Sequence, residues 1–223
     1  MKKICLSTAF LAPVEYYAKL FQYKQVEIEA CDNYIKQTYR NRCFIGATNG
    51  PLLLSLPVEK EPGKCLTRDI RLSEHGNWRH QHWYSICSTY NSTPFFEFYE
   101  DEFAPFFEKK FDFLFDYNEQ LRELICNLLD IHPRISYTTE YIAPENYLGD
   151  DFRELIHPKK DYHLVDHEYR DVPYYQLFES KWGFQPNLSI IDLLFNMGPE
   201  SILILKNSIV TDTSADTFNN PII

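Results

Sequence analysis

Glycine is scarce in this chain, with 7 residues in 223. The loop after the first candidate strand, residues 10–13, contains none, which excludes the usual phosphate-cradling glycine loops. No run of about 18 apolar residues is present, so no membrane insertion is expected. Positive charge is in the minority, at 22 Lys and Arg against 32 Asp and Glu. A chain with this net charge of −10 repels phosphate on average, so we expect no nucleic-acid partner.

Recognised catalytic and metal motifs are also missing. There is no serine elbow, no Cys–His signature and no carboxylate pair suited to glycoside hydrolysis. The cysteines are too far apart in sequence for a zinc or redox motif, and we expect reduced thiols. His80 and His82 would point about 200° apart on a helix, while His163 and His167 have no obvious third ligand. We therefore expect neither a metal nor a cofactor.

Aromatic residues are abundant: 3 Trp, 16 Tyr and 17 Phe make up 16% of the chain. Hydrophobic residues account for 44% and charged residues for 24%, which is typical of a globular domain. The first twelve residues resemble a short signal peptide. Ser7 and Thr8 interrupt their apolar stretch, however, which favours a first β-strand and a cytoplasmic protein.

A strand–helix–strand pattern opens the chain. Residues 3–10 and 26–30 are typical of strands, and Pro13 begins a helical repeat between them. This spacing predicts a βαβ-like unit, in which a right-handed crossover joins two parallel strands.

Further elements follow from local patterns. Residues 43–47 and 52–58 flank Thr48-Asn49-Gly50 and predict a β-hairpin, because Asn-Gly adopts the positive φ angles of a tight turn. A strand is also expected at 66–72. The helical spacing of apolar residues indicates a central helical segment over 77–131.

The C-terminal part mixes regular and irregular patterns. Residues 135–141 alternate like a strand, residues 188–197 are typical of a helix, and residues 201–206 are typical of a strand. Residues 143–172 are polar and lack clear periodicity, so we expect a long surface loop or lid.

These patterns together predict an α/β fold with one domain over residues 1–208. It would contain a mixed β-sheet, the N-terminal βαβ-like unit, the β-hairpin and the central helical segment. Residues 209–223 are expected to form a flexible C-terminal tail.

One polar stripe marks the helix predicted at 188–197. Ser189, Asp192 and Asn196 fall on one face, and nearly every other position is apolar. A buried carboxylate must find partners or shift its pKa, so Asp192 is a candidate catalytic group. The alternative is that Ser189 and Asp192 cap the helix while Asn196 bonds a neighbouring element.

Two further candidates are basic or titratable. Arg40 and Arg42 flank Asn41, and either guanidinium could hold a carboxylate or phosphate. They would point to opposite faces of a strand, so at most one enters a given site. Their alternative role is pairing with surface carboxylates. His82, on the Trp78 side of its helix, is either a general acid or base or a structural residue.

Short motifs spread over residues 4–205 recur in a recognisable order. They are Phe10-Leu11-Ala12-Pro13 with Tyr16-Tyr17, Arg40-Asn41-Arg42, Asn49-Gly50-Pro51, Leu56-Pro57-Val58, Trp78 with His82, Tyr90 with Pro94-Phe95-Phe96, and Pro186-Asn187-Leu188-Ser189-Ile190-Ile191-Asp192 with Asn196 and Gly198-Pro199. This order resembles the WbqC-like protein family. The chain departs from it at Ser7-Thr8-Ala9, where members usually carry Gln-Pro or His-Gln-Pro, and before Tyr174, where it looks shortened.

The resemblance implies a setting in surface-polysaccharide gene clusters, including O-antigen synthesis. It implies a transferase that modifies a sugar or sugar nucleotide, with aminoacyl or glycyl transfer as one form. The expected partner is a small anionic substrate such as a nucleotide sugar, bound where the first strand meets the first helix. The alternative is a non-catalytic binding or scaffold protein of the same pathway.

The resemblance also implies that residues inside its motifs line a functional site. Arg40 or Arg42 would hold the anion, and Asp192 or His82 would act as the base. Tyr16 or Trp78 would stack on a sugar or base. Ser189 completes the catalytic candidates, and Asn41, Asn187 and Asn196 complete the substrate-binding ones.

Overall fold

A parallel strand–helix–strand unit begins the fold, as the sequence predicts. The structure is a computed structural model that describes residues 2–60 and 63–210. It has β1 at Lys3–Ser7, α1 at Val14–Gln22 and β2 at Gln25–Glu29. The two strands pair in parallel, and their apolar side chains are fully buried beneath the crossover helix.

The predicted β-hairpin is confirmed, with β3 at Arg42–Ala47 and β4 at Gly50–Ser55. Two residues, Thr48 and Asn49, connect the antiparallel strands. Of the turn residues only Gly50 has a positive φ angle, +96°, which a residue without a Cβ adopts at little cost. The hairpin forms a sheet of its own, so the structure has a parallel sheet and a separate antiparallel one instead of the mixed sheet expected from the sequence. The reason is that β3 and β4 pair with each other and not with a strand of the parallel sheet.

The strand predicted at 66–72 is wrong. Residues Thr67–Asp69 form a 3₁₀ turn, and the flanking residues make isolated bridges to different partners. Leu66 pairs with Asn33, whereas Leu72 pairs with Val58. Because no single strand runs alongside this segment, its alternating pattern does not produce a ladder.

The central helical segment is confirmed as three helices. They are α2 at Trp78–Tyr90, α3 at Phe96–Glu108 and α4 at Leu114–Leu128. Buried side chains of α2 and α4, Ile86 and Leu121 among them, belong to the same hydrophobic core as the βαβ unit.

Two more strands complete the parallel sheet. β5 spans Arg134–Tyr137 and pairs with β2, while β6 spans only Asp150–Asp151 and pairs with β1. The strand order is β5-β2-β1-β6, and every pairing is parallel. The segment 143–172 thus supplies the edge strand β6, together with a 3₁₀ turn at Pro144–Asn146.

The last part of the chain is helical. It contains α5 at Tyr162–Val165, α6 at Glu179–Trp182, α7 at Ile190–Met197 and α8 at Ser201–Asn207. The strand predicted at 201–206 is therefore wrong.

The spacing of the buried residues in α8 explains this error. Ser201 and Leu205, one helical turn apart, are fully buried, whereas Leu203 between them is exposed. α8 packs against α1 and α7, and this tertiary contact overrides the strand propensity of the short apolar run at 202–205.

The α/β fold class with a single domain is confirmed, because the elements share one hydrophobic core. Residues 209 and 210, at the start of the predicted tail, bond to residues 168 and 169, while residues 211–223 lie outside the described part. None of the helices in the described ranges has the length and apolar character that a membrane crossing needs.

Candidate functional site

The carboxyl ends of the four parallel strands meet along one edge of the sheet. The chain leaves β1 for β2 on one side, while β6 joins β1 on the other side. Strand order therefore reverses at β1, and in α/β proteins ligands bind in the crevice outside the carboxyl ends at such a reversal.

A pocket of about 580 Å³ lies at this edge. Segments that follow β2 and β5 form its wall, with residues in and after β6 and one lysine from a loop. Its volume lies within the roughly 300–1,000 Å³ of small-molecule sites. The lining residues are Cys31, Asp32, Asn33, Ile35, Lys64, Tyr141, Pro144, Asp151, Arg153, Glu154 and Leu155.

Arg153 is the central cation of the pocket. Its Nε donates to both carboxylate oxygens of Asp151 at 3.0 and 3.1 Å, and its Nη1 donates to Glu29 at 2.6 Å. The hydrogen bonds to Asp151 raise the pKa of Arg153 further above its ordinary value. Glu29 also accepts from the Thr138 hydroxyl at 2.6 Å and from the Cys31 backbone N–H at 2.8 Å. The guanidinium is thus held in one orientation, with its charge fixed at the sheet edge.

Arg40 lies beside this network and is nearly fully buried. One of its nitrogens, Nη2, donates to Asp32 and, at 2.8 Å, to Glu154. Burial opposes the charge of Arg40, but the two carboxylates outweigh it and raise the pKa. The Glu154 side chain is 46% exposed and that of Asp32 is 10% exposed, so Glu154 is the carboxylate that solvent reaches.

Tyr16 and Arg40 line the same small cavity, of about 10 Å³, at the end of β1. The Tyr16 hydroxyl donates to the backbone oxygen of Ser7 at 3.1 Å, and the ring is buried. The structure therefore brings together these two predicted substrate-binding residues, but it encloses the Tyr16 ring in the core.

The two neighbours of Arg40 face elsewhere. Asn41 is buried, and its side-chain amide donates to the backbone oxygen of Leu56 at 3.0 Å. This bond joins the residue before β3 to the residue after β4. Arg42 begins β3 and is half-buried. Of this tripeptide, Arg40 lines the cavity at the sheet edge, but it does so from a turn before β3 rather than from one face of a strand.

Asp192 lies in a different place, on α7 against the hairpin. It is buried, and its carboxylate accepts from the Tyr90 hydroxyl at 2.8 Å, the Tyr174 hydroxyl at 2.8 Å and the Gln176 amide at 2.9 Å. Burial raises the pKa of Asp192 to about 6, and the three donors limit the rise. It borders a cavity of about 10 Å³ beside Gly46. This carboxylate thus joins α7 to α2 and to the segment before α6.

Its neighbours in the predicted stripe also make hydrogen bonds within the fold. The Ser189 hydroxyl donates to the backbone oxygen of Leu11 at 2.7 Å, and the Asn196 amide donates to that of Asp192 at 2.7 Å. The Asn187 side chain accepts from the backbone N–H of Glu15 at 2.9 Å, at the start of α1. The bonds of Ser189 and Asn187 connect the start of α7 to the start of α1, whereas the bond of Asn196 lies within α7.

His82 and Trp78 pack among aromatic rings. The His82 ring lies 6.3 Å from Phe10 and 5.5 Å from Trp78, measured between centroids. Burial lowers the pKa of His82 to about 4, so the imidazole is neutral at neutral pH. The indole of Trp78 is buried and donates to the backbone oxygen of Ser73 at 3.0 Å.

Apart from Asn41 and Arg42, which lie at the base of the hairpin, the predicted site residues fall into three groups rather than one. Tyr16 and Arg40 lie at the sheet edge, the α7 stripe lies against the hairpin, and His82 and Trp78 lie on α2. Asp192 and Arg40 line different cavities.

Sequence reasoning missed every residue that lines the large pocket, including Asp32, Tyr141, Arg153 and Glu154. Asp32 could have been found, because it closely follows a predicted parallel strand. The other three lie beyond β5 or beside the two-residue strand β6, which has no detectable pattern. Among the residues that the structure describes, no group of three or more His, Cys, Asp or Glu side chains could hold a metal ion.

Comparison with known proteins identifies relatives over most of the chain. The sequence model of the WbqC-like protein family matches residues 8–156 and 149–204. The uncharacterized protein Rv1507c of Mycobacterium tuberculosis is 26% identical over 222 residues, which cover 90% of this chain and 96% of that protein. No solved structure matches the chain.

Proposed function

Because the chain belongs to the WbqC-like protein family, a family associated with polysaccharide biosynthesis loci, we propose that it is a transferase that modifies a nucleotide-activated sugar. The reaction takes place in the pocket at the carboxyl edge of the parallel sheet. The proposal rests on one observation: a pocket of about 580 Å³, lined by both charged and apolar side chains, lies at the carboxyl ends of the parallel strands.

The lining suits a sugar. Carboxylates such as Asp32 and Asp151 accept hydrogen bonds from hydroxyl groups, and guanidinium groups such as Arg153 donate them. Tyr141 and Leu155 supply apolar surface for the faces of the ring. Fixed ion pairs hold these polar groups in place before the substrate arrives, which reduces the ordering cost of binding.

Glu154 is the proposed general base. It is the most exposed of the three pocket carboxylates, and Arg40 fixes its position. In aminoacyl transfer, an amine or hydroxyl of the sugar attacks the carbonyl carbon of an activated aminoacyl ester or thioester. Glu154 takes the proton of that nucleophile, and the donor's leaving group departs with the bonding electron pair. Asp192, whose oxygens already accept three hydrogen bonds away from this pocket, has a structural role in this scheme.

A non-catalytic binding or scaffold role is the second candidate. Three predicted catalytic residues favour this role, because their side chains already have partners inside the fold. Asp192 and Ser189 make internal hydrogen bonds, and His82 packs against Trp78. In that case the pocket binds a sugar nucleotide without changing it.

A thermal-shift screen followed by mass spectrometry tests the proposal. Nucleotide sugars are screened for stabilisation, which reaches about 2.7 kcal/mol at roughly 100 times the dissociation constant. Stabilising sugars are then incubated with activated aminoacyl donors, and we expect a product heavier by one aminoacyl group. Binding without any product supports the scaffold role, and no binding across the panel contradicts both.

A further inference from the structure

A second pocket, of about 280 Å³, opens beside the first. Three lysines line it, and all three are exposed: Lys36, Lys60 and Lys64. Among the residues that the structure describes, the acidic residue in its lining is Glu59. In a chain with net charge −10, the described lining of this pocket thus has more ammonium groups than carboxylates, the opposite of the chain as a whole.

These ammonium groups are available to a ligand. Within the described residues, none of the three lysines forms an ion pair or a side-chain hydrogen bond. Buried cations elsewhere differ, since Lys19 pairs with Asp166 at 2.7 Å. Lysine is a compact point charge that binds phosphate oxygens readily.

The hydroxyl of Tyr34 is a second, independent feature of this pocket. Tyr34 lines it, and its hydroxyl oxygen is buried with no hydrogen-bond partner in the described part of the chain. Burial raises the pKa of Tyr34 to about 12, so the phenol keeps its proton and remains a donor. A buried hydroxyl without a partner costs free energy, so a turn of the Tyr34 side chain toward the pocket is favoured if a bound oxyanion there supplies the missing acceptor.

We propose that this lysine pocket binds a diphosphate group. Asn33 and Lys64 line both pockets, so the two pockets are adjacent at these residues. If the proposed function is right, the diphosphate of the nucleotide sugar lies in the lysine pocket while its sugar lies in the larger pocket. The chain has no glycine-rich phosphate loop, and here ammonium and phenol groups replace backbone N–H donors.

Isothermal titration of the full chain with inorganic pyrophosphate, uridine diphosphate and a uridine-diphosphate sugar tests the inference. The double variant Lys60→Gln with Lys64→Gln should weaken pyrophosphate binding by at least about tenfold and reduce its dependence on salt. Tyr34→Phe should weaken it less, without lowering the melting temperature. The matched control is Lys109→Gln with Lys110→Gln, two exposed lysines outside both pockets.

Equal affinity in the lysine variant and the wild type, or an equal loss in the control, would overturn the inference. The arms of the experiment also separate it from the proposed function. If the sugar nucleotide is modified at an undiminished rate while the lysine variant binds pyrophosphate normally, the diphosphate site is wrong and the transferase stands. If the lysines govern pyrophosphate binding but no sugar is modified, the diphosphate site stands and the transferase is wrong.

Discussion

Tyr174 donates its hydroxyl hydrogen bond to the carboxylate of Asp192 over 2.8 Å, and both side chains are buried. Tyr174 belongs to the irregular segment before α6, whereas Asp192 is on α7. The pair therefore attaches a segment without regular structure to the core through one charge-assisted hydrogen bond, the stronger kind in proteins.

Asp192→Asn should destabilise the fold by about 1–3 kcal/mol, because an amide NH₂ would face one of the donors that the carboxylate now accepts from. Urea unfolding measures the change. At a temperature where both proteins are folded, we expect the proposed transferase activity to stay within a few-fold of the wild type. An inactive variant of unchanged stability would instead make Asp192 a catalytic residue.

Gly46→Ala should also destabilise the fold, by about 1–3 kcal/mol. A Cβ at this position would lie 2.9 Å from Oδ1 of Asp192 and 3.0 Å from Cδ1 of Leu188. The carboxylate cannot retreat without loss of its hydrogen bonds to Tyr90 and Tyr174. Unfolding of the double variant with Asp192→Asn provides the control, because a contact with Asp192 predicts non-additive effects. Full additivity would contradict this explanation.

The βαβ unit and the hairpin could be predicted because local sequence determines them. Pro13 starts a helical repeat between two apolar strands, and Gly50 provides the positive φ angle of the turn. α8 could not be predicted, since its short apolar run at 202–205 is typical of a buried strand and only packing against α1 and α7 makes it helical. The helical conformation of α8 therefore depends on contacts with segments that are distant in sequence.

The candidate site was harder to predict than the fold. Arg40 was identified from its motif, but its partners Asp32 and Glu154 lie 8 and 114 positions away. Such a cluster exists only once β6 pairs with β1, and two residues of strand leave no periodic pattern. Asp192, in contrast, was recognised as a buried carboxylate from its apolar neighbours alone, because burial of a helix is visible in sequence.

Glu15 should make the fold more stable in acid than in base. Burial raises the pKa of its carboxyl to about 8, from an ordinary value of 4.5. Between these values the folded protein holds a proton that the unfolded chain has lost. The free energy of unfolding therefore falls as the pH rises, by at most about 1.4 kcal/mol per pH unit. This contribution is fully present below the lower value and is lost as the pH rises through the higher one.

The Glu15→Gln substitution removes the titrating carboxyl group, so position 15 no longer gains or loses a proton in this pH range. The amide keeps a neutral group beside Asn187 and Asp166, so the variant should be well folded. Urea unfolding at about pH 5 and about pH 9 is expected to show that the wild type loses more stability than the variant over this range. Parallel losses in the two proteins would show that Glu15 is ionised in the folded state. Glu145→Gln, a change at an exposed position, is the control.

Glu154→Gln should separate chemistry from binding. Removal of a general base lowers kcat by about 10²–10⁴-fold, while the amide still reaches Arg40 and keeps the pocket intact. Because the Glu154 side chain is 46% exposed, its ion pair adds little to the free energy of unfolding, and the variant should melt close to the wild type. The measurements are kcat and KM for the sugar nucleotide, with Glu145→Gln in the same segment as the control. A variant that turns over at the wild-type rate would exclude Glu154 as the base. One that no longer binds the sugar nucleotide would make Glu154 a binding residue instead.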